Sequence, residues 1–108
     1  MYELSLAAAE DIETIFVESI ARFGVQQTEV YVEDLQNCLL LLGEHPGMGR
    51  IADDIRTDYR AFPHQSHVIY YQEEADRIFV VRVLHKHMDA INTFQLFSGV
   101  GPSQAIDI

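Results

Sequence analysis

The sequence predicts an α+β fold: an N-terminal strand and an antiparallel two-helix hairpin packed on a small, mainly antiparallel β-sheet. Three observations carry this expectation. Apolar residues recur at three- and four-residue spacing through the first half. β-Branched and aromatic residues crowd three short segments of the second half. Between the halves, Pro46, Gly47 and Gly49 punctuate the chain.

Tyr2 to Leu6 alternates enough for a first strand, with Ser5 placed to cap the helix that follows. Over residues 7–23, Ile12, Ile15, Phe16, Ile20 and Phe23 make one apolar stripe, and acids early in this helix suit its positive end. Gly24 stops it. A second helix is expected over 25–42, with Tyr31, Leu35, Cys38 and Leu42 on a stripe that Val32 and Leu39 widen. Gly43 is the expected left-handed terminator, and Pro46 blocks resumption. So short a link makes the two helices antiparallel neighbours. Residues 44–54 read as a loop. The first strand beyond it spans Ile55 to Phe62 and ends at Pro63, which has no N–H for a ladder. His67 to Gln72 and Arg77 to His85 follow, joined by Glu73-Glu74-Ala75-Asp76 into a hairpin. The near-continuous apolarity of the last strand places it centrally, covered on both faces. Ile91, Phe94 and Phe97 suggest a short amphipathic piece. Residues 1–97 thus read as one domain, and 98–108, with Gly99, Gly101 and Pro102, as a loose tail.

With 48% hydrophobic and 22% charged residues, the chain has the balance of a globular protein. It lacks both an apolar run of about 18 residues and the basic-then-apolar start of a secretory signal. Cys38 is the single cysteine, so no internal disulfide forms, and its leucine neighbours suggest a buried small hydrophobe. These features predict a cytoplasmic protein. The net charge of −10 is concentrated early: residues 1–54 carry eleven acids against Arg22 and Arg50. Such a chain is repelled by phosphate backbones, so free nucleic acid is not an expected ligand.

Standard catalytic signatures are missing: no phosphate-cradling glycine loop, no HExxH and no CxxC. Ser66 and His67 are adjacent, so on a strand their side chains face opposite ways and do not pair. His85 and His87 are able to share a face, with Asp89 close, but no full metal-ligand set is placed. His64 and His67 flank a turn. No metal and no cofactor are implied. Arg82 interrupts the apolar run of its strand, sharing by alternation a face with Ile78, Val80 and Leu84. A buried charge needs a partner. The partner is either an internal acid such as Asp58 or Glu73, or a carboxylate or phosphate arriving in a groove.

Three segments then fall in register: Ile55-Arg56-Thr57-Asp58-Tyr59-Arg60-Ala61-Phe62-Pro63, Ser66-His67-Val68-Ile69-Tyr70-Tyr71, and Arg82-Val83-Leu84-His85-Lys86-His87-Met88-Asp89. Their order and spacing resemble those of the ParE toxins of the RelE/ParE superfamily. The first half is similar too, in Asp11-Ile12, the Gly24-Gln26-Gln27 corner, Tyr31, Leu35 and Pro46-Gly49-Arg50. The resemblance covers about residues 2–94 and implies a type II toxin-antitoxin module. The partner it implies is a ParD-like antitoxin folded onto the toxin, and the implied target is DNA gyrase, inhibited by protein–protein binding. Arg56, Arg60, Arg77 and Arg82 are then the expected anchors for antitoxin carboxylates, and Lys86, His87 and Met88 the expected contact with the target. RelE-type relatives instead cleave messenger RNA on the ribosome with lysines, arginines and an aromatic or histidine acid/base. For that chemistry this chain offers Arg60, Arg82 and His85 and a single lysine, Lys86. A toxin-like module that only binds its partner is the third expectation.

Overall fold

Ser5 ends one element and starts the next. Its hydroxyl accepts from the Ala8 N–H (2.9 Å) as a helix N-cap and donates to the Val81 carbonyl (2.7 Å). Around it, a computed structural model describes residues 1–88 and 90–94. The elements are β1 (Tyr2–Leu4), α1 (Leu6–Phe23), α2 (Val25–Glu44), a 3-10 turn (Pro46–Met48), β2 (Arg50–Ile51), β3 (Tyr59–His64), β4 (His67–Glu73) and β5 (Ile78–His85). A helical turn follows at 90–94. Gly24 alone separates the helices, at φ 86°, a conformation open to glycine and costly for any other residue.

The sheet order is β1-β5-β4-β3-β2, parallel between β1 and β5 and antiparallel elsewhere. β5 is therefore an interior strand. Alternation along the strands sends Ile69, Tyr71, Ile78, Val80 and Val83 to one face, where they meet Ala8, Ile15, Leu35, Leu39 and Leu42 of the helices. The opposite face carries a smaller cluster of Ala52, Ala61, Tyr70, Leu84 and Phe94.

Several expectations are corrected. The strand expected from Ile55 begins at Tyr59, because residues 53–58 turn: Ile55 and Arg56 donate to the Ala52 carbonyl, and Asp58 sits at φ 70°. Pro63 lies within β3, opposite Val68. It is tolerated there because β2 pairs only with Arg60 and Ala61, so beyond them β3 is an edge that needs no N–H. The expected loop over 44–54 contains the 3-10 turn and β2. Gly43 does not end α2; a Cβ there would meet the backbone of Met1, 2.6 Å from its nitrogen, so glycine permits close packing of the chain start on the helix. The first turn of α1 holds no acid. Cys38 is half-buried rather than enclosed. Of the α1 stripe, Ile15 is buried, whereas Phe16 and Phe23 are 38% and 56% exposed. Phe97 and the tail 98–108 lie outside the described residues, as does Asp89.

A register shift in β4–β5 pairing alters the predicted faces. Tyr70 pairs with Arg82 and Tyr71 with Val80, leaving Val81 as an extra residue in β5. Alternation inverts there. Val83 joins Ile78 and Val80 beneath the helices, and Leu84 packs on the other side. Arg82 no longer shares a face with Ile78 and Val80, as unbroken alternation would require.

Candidate partner-binding surface

β1 accompanies β5 only as far as Val80, with the Ser5 N–H closing the last bond at 2.9 Å. Beyond that point side chains from the start of α1 take over the exposed edge. The Ser5 hydroxyl serves Val81, and the Asp11 carboxylate accepts from the Val83 N–H at 3.0 Å. The same carboxylate holds Arg82 by two bonds, from Nε at 2.7 Å and Nη2 at 2.9 Å. A bidentate guanidinium–carboxylate pair fixes direction as well as charge. The partner of Arg82 is thus Asp11, and the expected Asp58 or Glu73 is overturned. Its position at the bulge, past the end of β1, brings it within reach of α1.

The other predicted anchors also have internal partners. Arg60 donates to the Gly49 carbonyl (2.8 Å) and stands 3.8 Å from Glu73. It lines a cleft of about 440 Å³ together with Asp53, Asp58 and Glu74. Arg77 bridges Glu3 (2.9 Å) and Glu74 (3.0 Å), and their side-chain hydrogen bond and charge hold it firmly protonated. Arg56 donates to the Phe94 carbonyl (3.3 Å). Arg60 and Arg82 are therefore each engaged elsewhere rather than converging with His85 on a common point.

His64, His67 and His85 line up across β3, β4 and β5, because register pairs His64 with His67 and His67 with His85. Tyr31 of α2 covers this row and shares a 2.6 Å hydrogen bond with His67 Nδ1. Burial pushes the Tyr31 phenol up to about 12, with a smaller push from Cys38. Burial also lowers His64 and His67, and the neighbouring His85 and His64 lower His67 further. Both imidazoles are thus biased toward their neutral form. His87 packs on His85, and its N–H donates to His85 Nδ1 at 3.2 Å. Among the described residues, no group of three or more His, Cys, Asp or Glu side chains is arranged to hold a metal. Lys86, His87 and Met88 form an exposed turn after β5, tied to the β3–β4 turn by the Lys86 N–H and Ser66 carbonyl (2.8 Å).

At the corner of the helical hairpin lies a cavity of about 290 Å³, walled by Phe23, Thr28, Val30, Tyr31 and Asp34 and closed by the β3–β4 turn. Sequence reasoning missed it: Phe23 reads as core by its spacing, and nothing in the chain announces that the hairpin corner overhangs the turn. Asp11 is legible as a helix acid and, with Ile12, as part of the resemblance, but nothing in the chain assigns it to Arg82. No helix among the described residues is long and apolar enough to cross a membrane.

Residues 2–90 match the family model described as ParE toxin of type II toxin-antitoxin system, parDE. The chain is 38% identical over 89 residues to Toxin ParE1 of Caulobacter vibrioides, covering 82% of this chain and 92% of that protein. It is 39% identical over 89 residues to Toxin ParE1 of Mycobacterium tuberculosis, covering 82% of this chain and 91% of that one. Among solved structures, a chain of the chromosomal ParDE system from P. aeruginosa shares the fold. Its TM-score is 0.67 at 16% identity, with 78% of this chain and 92% of that chain covered.

Proposed function

The chain belongs to the ParE toxin family of type II toxin-antitoxin systems, and from that premise we propose that it acts by binding rather than by chemistry. A ParD-like antitoxin holds it in check, and the free toxin inhibits DNA gyrase through protein–protein contact in the cytoplasm. The observation that best supports this is the engagement of Arg60 and Arg82, the two arginines a minimal ribonuclease site would draw on. Cleaving a phosphodiester requires positive groups free to meet the charge that develops in the transition state. Here Arg82 is clamped by Asp11, and Arg60 stands in a cleft rimmed by Asp53, Asp58, Glu73 and Glu74. A phosphate entering that cleft meets more carboxylate than guanidinium. Lys86, His87 and Met88, on an exposed turn, are the proposed contact with the target.

The test is a gyrase supercoiling assay run beside a translating ribosome. Saturable loss of supercoiling, reversed by the antitoxin and with transcripts left intact, is the expected result. Transcript cleavage at the ribosome with gyrase untouched would overturn the reading. Silence in both assays, with tight antitoxin binding, would identify a module that only binds its partner.

A further inference from the structure

The predicted anchors were cations awaiting an acidic partner, but among the described residues most of the charge left outside ion pairs is of the opposite sign. Residues 6–44, the helical hairpin, hold eight acids against Arg22. Asp11 is bound to Arg82, whereas Glu10, Glu13, Glu18, Glu29, Glu33, Asp34 and Glu44 make no ion pair among the described residues. This acidic hairpin also exposes Phe16, Val17, Phe23, Val25, Val30, Leu40 and Leu41, apolar surface of the kind that a bound partner covers.

The cavity at the hairpin corner concentrates both features. Phe23 and Val30 supply exposed apolar wall, and among the described residues Asp34 is the only charged side chain in the lining. A second observation points to a guest. Thr28 lines this cavity with only 1% of its surface exposed, yet its Oγ1 has no hydrogen-bond partner among the described residues. A helical threonine hydroxyl ordinarily bonds back to a carbonyl one turn earlier. Here the Gly24 carbonyl receives the Thr28 N–H (3.2 Å) and the hydroxyl is left over. A buried hydroxyl without a partner is costly, and a guest that supplies one removes that cost.

Resting on the antitoxin reading above, we propose that this cavity receives a basic segment of the antitoxin: an apolar side chain enters between Phe23 and Val30, a flanking Lys or Arg meets Asp34, and a polar group of the segment bonds to Thr28 Oγ1. Charge selects this occupant. An acidic segment is repelled by the hairpin, and so is a second copy of this chain, which carries −10.

The experiment measures binding kinetics between this toxin and the antitoxin encoded beside it, at low and at high salt. Raising the salt should slow association about tenfold, because the hairpin field steers a cationic segment. Asp34→Lys and Val30→Asp, both at exposed positions, should each weaken the complex about tenfold or more while leaving the melting temperature of the free toxin near wild type. Thr28→Val gives the sharpest readout. Removing an orphaned hydroxyl should raise the melting temperature of the free toxin yet weaken the complex severalfold, two changes of opposite sign that a purely structural role does not produce. A complex of wild-type affinity in all three variants, with no salt dependence, overturns the proposal and leaves the antitoxin reading standing. If wild-type toxin forms no complex at all, the antitoxin reading fails and this proposal falls with it.

Discussion

Removing the Asp11 carboxylate should be among the most damaging single changes to this fold. The carboxylate accepts three hydrogen bonds, two from Arg82 and one from the Val83 N–H. The two side chains are only 13% and 15% exposed, so this is not a surface ion pair. Hydrogen bonds to charged groups contribute about 1.5–3 kcal/mol each in mutational series, and breaking one side of a buried pair costs about 3–5 kcal/mol. The residual exposure lets water reach the Arg82 guanidinium, which puts Asp11→Ala at the lower end, about 3 kcal/mol. For a domain of this size that lowers the melting temperature by roughly 12–20 °C. Arg82→Ala should cost about as much, and the double variant far less than the sum, with a coupling of about 1.5 kcal/mol or more in a double-mutant cycle. Asp11→Leu combined with Arg82→Met should recover much of the loss, because two apolar groups leave no buried charge unpaired. Denaturation followed by circular dichroism measures all four. Single variants that melt within about 5 °C of wild type and costs that simply add would show a solvated pair worth under about 1 kcal/mol, and would refute the reasoning.

Other changes test neighbouring parts of the structure. Gly43→Ala gains about 1 kcal/mol of helix propensity but drives a Cβ into the Met1 backbone. The clash should win at about 1–3 kcal/mol, lowering the urea midpoint and speeding amide exchange in β1. Tyr71→Phe removes a hydroxyl that donates to the Pro46 carbonyl (2.5 Å) and accepts from the Gly49 N–H (3.0 Å). Leaving those groups unpaired should cost about 1–3 kcal/mol in thermal denaturation. His64 and His67 both have lowered pKa values in the fold, so below about pH 6.5 the unfolded chain binds more protons than the folded one. Their contribution is intact above that pH and lost as pH falls through their folded values. The melting temperature should therefore drop on acidification, and His67→Asn should flatten that drop.

The elements were legible where local chemistry decides them. Ser5 caps, Gly24 turns, and Leu35, Leu39 and Leu42 face inward because helical spacing leaves them no other side. What escaped depends on chain segments far apart in sequence. Pro63 looks like a strand terminator until β2 is known to stop two residues short of it, and Gly43 looks like a helix cap until the chain start is laid against it. Phe23 looks like core until the hairpin is seen to end in an overhang. The bulge at Val81 is invisible in a run as uniformly apolar as Ile78 to Val81, yet it inverts the alternation beyond it, and Arg82 meets Asp11 past the end of β1.

Arg82 shows how folding redistributes the charges that a sequence offers to a partner. The resemblance made the arginines the expected anchors for an acidic partner. With 17 acids and seven bases, most guanidinium groups find an internal carboxylate within reach. The salt bridges of Arg50, Arg60, Arg77 and Arg82 bear that out. The charge able to act outward is then the surplus, and in this chain the surplus is acidic and lies on the helices. An interface built on the surplus recruits a basic partner. Removing a hairpin carboxylate such as Asp34 should therefore alter binding with little effect on folding, whereas removing Arg82 should alter both together.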